Sequence, residues 1–332
     1  MPSDNRLVTD LPRDQRPNIN KPRWDQATFT GRLKHFFTTA CPINLFVREK
    51  TLDEAKEIVD SYRAGRPPSG LTIEQLWKAK TLYDSAFHPE TGQKMFLLGR
   101  MSCQVPCNMV ITGVMLSFYK TNFAIISTHW VNQSFNAIVN YTNRAGENAP
   151  TGQRLFFAYC CATGGALTAA LGLNRYANAK KLHPLYARLV PFCAIALANA
   201  INIPVMRSKE FTEGISVEDA HGNKLGTSTR VAAYAIPMVV ASRIFMAIPF
   251  MVLSPIMMER IVKKAWYQRR PWIAAPIQTL FAGFMLTFAT PTGCALFPQK
   301  SQISVDRLEP DLRAKIQALP QAPKYVYYNK GL

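Results

Sequence analysis

Residues 88–116 read HPETGQKMFLLGRMSCQVPCNMVITGVML, a polar, turn-forming head that opens onto an apolar run. Arg100, Gln104 and Asn108 are spaced four apart inside that run, and Thr112 continues the series. On a helix such positions stack on one face. A soluble amphipathic helix is polar over about half its surface, whereas here the remaining surface is Met, Leu, Val, Ile and Cys. The pattern fits a membrane helix that shows a narrow polar seam to a protein interior or a water-filled cavity.

Working outward, 332 residues suffice for one large domain or two modest ones. The mean hydropathy of −0.04 is that of a soluble chain, but it averages charged ends with an apolar middle. The formal charge is +18. Nucleic acid is one partner for such a charge. The cations, however, fall in short clusters beside apolar runs: Arg175, Lys180 and Lys181; Arg260, Lys263 and Lys264; Arg269 and Arg270. That placement follows the positive-inside pattern of a polytopic membrane protein, and no nucleic-acid partner is expected.

A helix crossing the hydrocarbon core needs about 20 largely apolar residues. Five segments qualify, near 95–119, 155–173, 185–206, 231–258 and 273–297. Gly164 and Gly165 in the second allow close helix contact. The stretch 122–141 is intermediate, apolar on one side with Asn132, Asn136 and Asn140 on the other, and reads as an interfacial or re-entrant segment. The predicted fold is therefore all-α: a polytopic membrane protein of about five transmembrane helices with a helical polar cap at the N-terminus. The domains are a cap over 1–94, a membrane domain over 95–300 and a tail over 301–332. Within the cap, Thr51–Ala64 reads as a helix with Thr51 and Glu54 as its capping box, and Thr72–Ala86 as a second. Trp24–Phe37 reads as an interfacial or a soluble helix. Five spans put the termini on opposite sides, with the basic loops 174–184 and 259–272 on the N-terminal, matrix-facing side.

No enzyme motif is present, so no catalytic residue is assigned. The seven cysteines contain no CxxC pair and the five histidines lie far apart, so neither a disulfide framework, a metal site nor a cofactor is expected.

Sequence motifs add a second line. PRWDQ at 22–26, HPETGQK at 88–94, GRMS at 99–102, WVNQSFNA at 130–137, NYTNR at 140–144, NIPVMR at 202–207, ALFPQK at 295–300 and the final NKGL resemble the sideroflexin family, in order and over nearly the whole chain. The departures are Glu90, Gln93 and His129, where the family pattern has Asp, Glu and Gln. The resemblance, closest to the serine-transporting branch, implies a multi-pass protein of the mitochondrial inner membrane. It also implies transport of L-serine and other small neutral amino acids (alanine, cysteine, glycine) that feeds one-carbon metabolism. A membrane scaffold or assembly factor for respiratory-complex, iron–sulfur or haem pathways, and a carboxylate (citrate) carrier, are the alternatives. Membrane lipid is an expected partner, and oligomers are compatible with this reading.

A zwitterion needs donors for its carboxylate and acceptors for its ammonium, often supplied by broken helices. Arg100, Gln104 and Asn108 around Pro106 are one candidate group, with snorkelling of Arg100 as the alternative. Asn199 and Asn202 before Pro204 are a second, unless they only fix helix packing. Arg243, midway along 231–258, is a third, because a central Arg is costly without a partner. Asn132 and Asn136 would line an entrance. His88, Pro89, Thr91 and Gly92 form a turn with a structural or gating role.

Overall fold

Three helices build the polar cap: α1 (Phe29–Thr39), α2 (Glu49–Arg63) and α3 (Ile73–Ala86). The computed structural model describes residues 5–88, 91–119, 121–143, 151–181, 183–220, 222–298, 300–319 and 322–330. Leu52, Ala55 and Val59 of α2 pack on Leu76, Ala79 and Tyr83 of α3 in one apolar cluster. The α3 start is a complete capping box between Thr72 and Gln75. By contrast α2 begins at Glu49, two residues before the expected cap, so Thr51 lies in its first turn and caps nothing. A helix already nucleated from Glu49 leaves the Thr51–Glu54 box no free end to close.

The membrane domain is a closed ring of six antiparallel helices. In order these are α4 (Gln104–Phe118), α5 (Asn122–Thr142), α6 (Gly152–Ala179), α7 (Pro184–Met206), α9 (Thr229–Ile261) and α11 (Ala274–Leu296), each packed against the next and α11 against α4. Short helices α8 (Ser208–Glu213) and α10 (Ala265–Gln268) lie in the connections. Five of the segments, all but α5, are long and apolar enough to cross a membrane. Tight contacts set the ring. A Cβ on Gly113 of α4 would fall 1.9 Å from Thr279 Oγ1 on α11, and one on Gly165 of α6 would fall 2.3 Å from Ile201 Cδ1 on α7. Gly164 has nothing within 4 Å, so only Gly165 of that pair enables an approach.

Two expectations are corrected. The stretch 122–141 is no separate segment beside the five spans but a member of the ring. It is one continuous helix, α5, of 21 residues and about 30 Å, seated between α4 and α6. Its polarity is inside-out: Thr128, His129, Asn132 and Gln133 are buried, while Phe123, Ile126, Trp130 and Val131 are exposed. That inversion suits a helix whose outside is lipid, and it dilutes the apolar signal that a hydropathy window needs. With α5 running the length of the bundle, the cap and the C-terminal strand β4 lie at one end of the ring. Arg32 of the cap bonds Ala295 at the end of α11, and Arg207 at the end of α7 bonds the Lys330 carbonyl. The basic loops lie at the other end, where His183 approaches Glu259 at 3.9 Å.

The second correction concerns the tail and the loop 207–230. They form a four-stranded antiparallel sheet from β1 (Ile215–Glu218), β2 (Lys224–Ser228), β3 (Lys300–Ser304) and β4 (Tyr325–Asn329), in the order β2-β1-β4-β3. Helix α12 (Pro310–Gln317) lays Leu312 and Ile316 into the same core as Val217, Ile303 and Val326, and that core continues into Val231 and Ala235 of α9.

Candidate functional site

The chain enters the membrane domain through the 88–94 turn. Gly92 takes φ +62° and donates to the His88 carbonyl at 2.9 Å, while His88 N–H donates to Gln93 O at 2.9 Å. Thr91 N–H points at His88 Nδ1, 3.3 Å away, and Lys56 Nζ donates to Gly92 O at 3.0 Å. His88, Thr91 and Gly92 thus shape a reversal held against α2; Pro89 lies outside the described residues. Lys94 then grips Glu49 at 2.6 Å and Asp53 at 2.7 Å. Its bonds to Asp53 and Glu49 raise the Lys94 ammonium above its usual range, and the Lys94 bond holds Glu49 below the carboxylate range.

Arg100 leaves the predicted seam. Its ψ of 142° is extended, two 3-10 turns separate the Met95 region from α4, and the helix begins only at Gln104. Pro106 explains this limit: it lacks an N–H and its ring crowds the carbonyl of Ser102, so a first-turn position is where it is tolerated. Arg100 is buried, donating to Met95 O at 3.2 Å and to Glu49 Oε1 at 3.3 Å. It anchors α2 to the mouth of the ring instead of stacking above Gln104. Gln104 and Asn108 do share a face, with Asn108 Nδ2 2.8 Å from the Gln104 carbonyl. Gln104 Nε2 is buried with no hydrogen-bond partner among the described residues. Cys103 and Cys107 lie one turn apart with Sγ atoms 3.2 Å from each other. No group of three metal-ligating side chains occurs among the described residues.

The inner face of α5 carries the densest polar chemistry of the ring. His129 is fully buried, with Nε2 2.8 Å from Tyr119 Oη and Nδ1 without a partner among the described residues. Asn132 and Gln133 are buried, and Asn136 and Asn140 are half-buried. The 3.1 Å contact of Ser134 Oγ with Tyr159 Oη and the Gly165–Ile201 contact fix the levels of α5, α6 and α7. By that register Asn132, Thr163, Asn199 and Asn202 fall within about two helical turns of one another along the bundle. Asn199 and Asn202 are half-buried, and Thr163 Oγ1 is another buried group with no partner. Pro204, having no N–H, leaves the Ala200 carbonyl between the two asparagines without its helical donor.

Arg243 is not central. Ser242 Oγ donates to Gly293 O at 2.9 Å, and Gly293 lies one turn before the end of α11. Because α9 has 33 residues and reaches about 50 Å, its first turns stand outside the core in the β-sheet module. Arg243 is exposed at the cap end of the ring, level with the mouth.

The sequence reading missed the His129–Tyr119 pair and Thr163. The available signal was the reversed polarity of α5, with aromatic and aliphatic residues opposite amides.

The family model for sideroflexins matches residues 18–332. The chain belongs to the sideroflexin family. This sideroflexin is 54% identical over 320 residues to sideroflexin-1.1 of Caenorhabditis elegans, covering 95% of the chain and 97% of that relative. It is 54% identical to human sideroflexin-1 over 318 residues and 55% identical to rat sideroflexin-3 over 315, each covering 95% of the chain and 98% of the relative. No solved structure matches it. Membership supports a transporter-type function for this multi-pass membrane protein.

Proposed function

We propose that this sideroflexin is a mitochondrial inner-membrane transporter of L-serine and other small neutral amino acids such as alanine, cysteine and glycine, working by alternating access and feeding one-carbon metabolism. One observation carries the reading. Buried hydrogen-bonding atoms inside the helix ring, Gln104 Nε2, His129 Nδ1 and Thr163 Oγ1, have no partner among the described residues. In a bilayer core such groups cost several kcal/mol each, so a polar ligand or water belongs beside them. The amide N–H groups of Gln104, Asn108, Asn132 and Asn199 suit a carboxylate. The amide oxygens, with Asn136, Asn202 and the freed Ala200 carbonyl, suit an ammonium. Arg243 at the mouth attracts the carboxylate, while Arg100 is engaged by Glu49 and takes no part in binding.

Proteoliposomes holding the purified protein should take up labelled serine, with unlabelled alanine, cysteine and glycine competing. Asn132→Leu and Asn199→Leu should lower uptake at least fivefold in protein that remains inserted. Uptake at the level of empty liposomes would overturn the reading. Competition by citrate would point to a carboxylate carrier.

A further inference from the structure

We infer that the loop end of the helix ring, opposite the cap, is a binding surface for the phosphate groups of anionic phospholipids. The loop end concentrates its cations without acids to offset them. At the cap end several cations are paired with acids of the protein: Arg23 lies 2.6 Å from Glu74, Lys94 is held by Glu49 and Asp53, and Lys300 lies 2.7 Å from Glu218. At the loop end, Lys180, Lys181, Lys263, Lys264, Arg269 and Arg270 are all exposed. None of the six has an acidic partner among the described residues. The acid in these loops, Glu259, faces His183 at 3.9 Å. That same contact joins the start of α7 to the end of α9, so both basic loops share one rim.

Aromatic residues place this rim at a bilayer surface. Trp266 on α10 and Trp272 just after it are 49% and 71% exposed, interleaved with the four cations of the α9–α11 connection. Indole rings favour the headgroup level, and juxtamembrane basic clusters hold acidic headgroups there. The unneutralised charge, its density and its aromatic neighbours select phosphodiester headgroups, best a lipid carrying two phosphates, over zwitterionic ones.

The test uses the full-length protein in mild detergent. It is titrated with cardiolipin, phosphatidylglycerol, phosphatidylcholine or inorganic phosphate, with bound lipid read by native mass spectrometry and stability by the thermal midpoint. Cardiolipin and phosphatidylglycerol should bind and raise the midpoint, and phosphatidylcholine should not. The variant K263Q/K264Q/R269Q/R270Q should keep the wild-type midpoint in phosphatidylcholine and lose about tenfold or more in cardiolipin affinity. The variant K180Q/K181Q, outside the α9–α11 connection, should lose a smaller share and reports even if the fourfold variant fails to fold. Equal binding of phosphatidylcholine, wild-type cardiolipin affinity in both variants, or equal stabilisation by free phosphate would each overturn the inference. Serine uptake is not read, so failure here leaves the transport reading untouched.

Discussion

Arg32 Nε donates a 2.9 Å hydrogen bond to the carbonyl oxygen of Ala295, across 263 positions of sequence. Arg32 is buried, and its Nη1 also donates to the Gln26 and Ala27 carbonyls at 2.9 and 2.8 Å. One guanidinium therefore ties the cap to the last turn of α11, where carbonyls have no helical donor and a cation complements the helix dipole. Edge-on packing of Phe37 against Phe288 at 6.1 Å supports the joint.

Replacing Arg32 by Ala leaves three carbonyls without this donor and should cost about 2–4 kcal/mol. Arg32→Lys, a single ammonium without the planar fork, should recover only part of that. Thermal unfolding and limited proteolysis of the cap in detergent measure it. An unchanged midpoint for Arg32→Ala would show that the cap is held elsewhere.

Glu309 closes the N-terminus of α9. Its carboxylate accepts from Ser228 Oγ at 2.7 Å, from Thr229 N and Oγ1 at 2.8 Å and from Arg230 N at 3.0 Å. Burial pushes the carboxyl up, but the Arg230 N–H and the Ser228 and Thr229 hydroxyls outweigh it and bring the pKa from 4.5 to about 2. With the folded value depressed, the stabilisation is complete above pH 4.5 and disappears as pH falls from 4.5 through 2. Glu309→Gln should remove this acid-side dependence and speed amide exchange at 228–231, measured by hydrogen exchange against pH. An identical pH profile in variant and wild type would refute the assignment.

The five apolar spans and the cap helices α2 and α3 were legible because each signal is local: long apolar runs, or a periodic face behind a cap. The sixth helix was not, since His129, Asn132 and Gln133 lower its hydropathy while their burial depends on neighbours far along the chain. The sheet was missed for a similar reason. Its strands are four or five residues long, and β1 pairs with β4 about a hundred positions away. Within the site, Gln104 and Asn108 keep the spacing read from the sequence. Arg100 loses it because the turns before Gln104 are 3-10, and Arg243 loses its central position because the first turns of α9 pack in the sheet module.

The Glu49–Arg100 pair should show coupling. Arg100 is buried while Glu49 is largely exposed, so removing Glu49 strands the guanidinium more than it frees the carboxylate. A double-mutant cycle of Glu49→Gln and Arg100→Gln should give an interaction of about 0.5–1.5 kcal/mol, read from unfolding midpoints. Additive effects would mean that Lys94 alone carries the clamp.

Helix approach within the ring gives a last and sharper contrast. Gly113→Ala puts a methyl 1.9 Å from Thr279 Oγ1 and 2.8 Å from the Thr279 Cα, and backbone cannot step aside as a flexible side-chain tip can. The α4–α11 contact should open, at about 1–3 kcal/mol or more. Gly164→Ala meets nothing within 4 Å and replaces a poor helix former, so it should be neutral or slightly stabilising. Midpoints of the two variants in one detergent decide the matter. Equal change in both would mean that the α4–α11 approach has no special need for glycine, because helix preference alone favours Ala at either site, whereas loss confined to Gly113→Ala locates the close approach of α4 and α11.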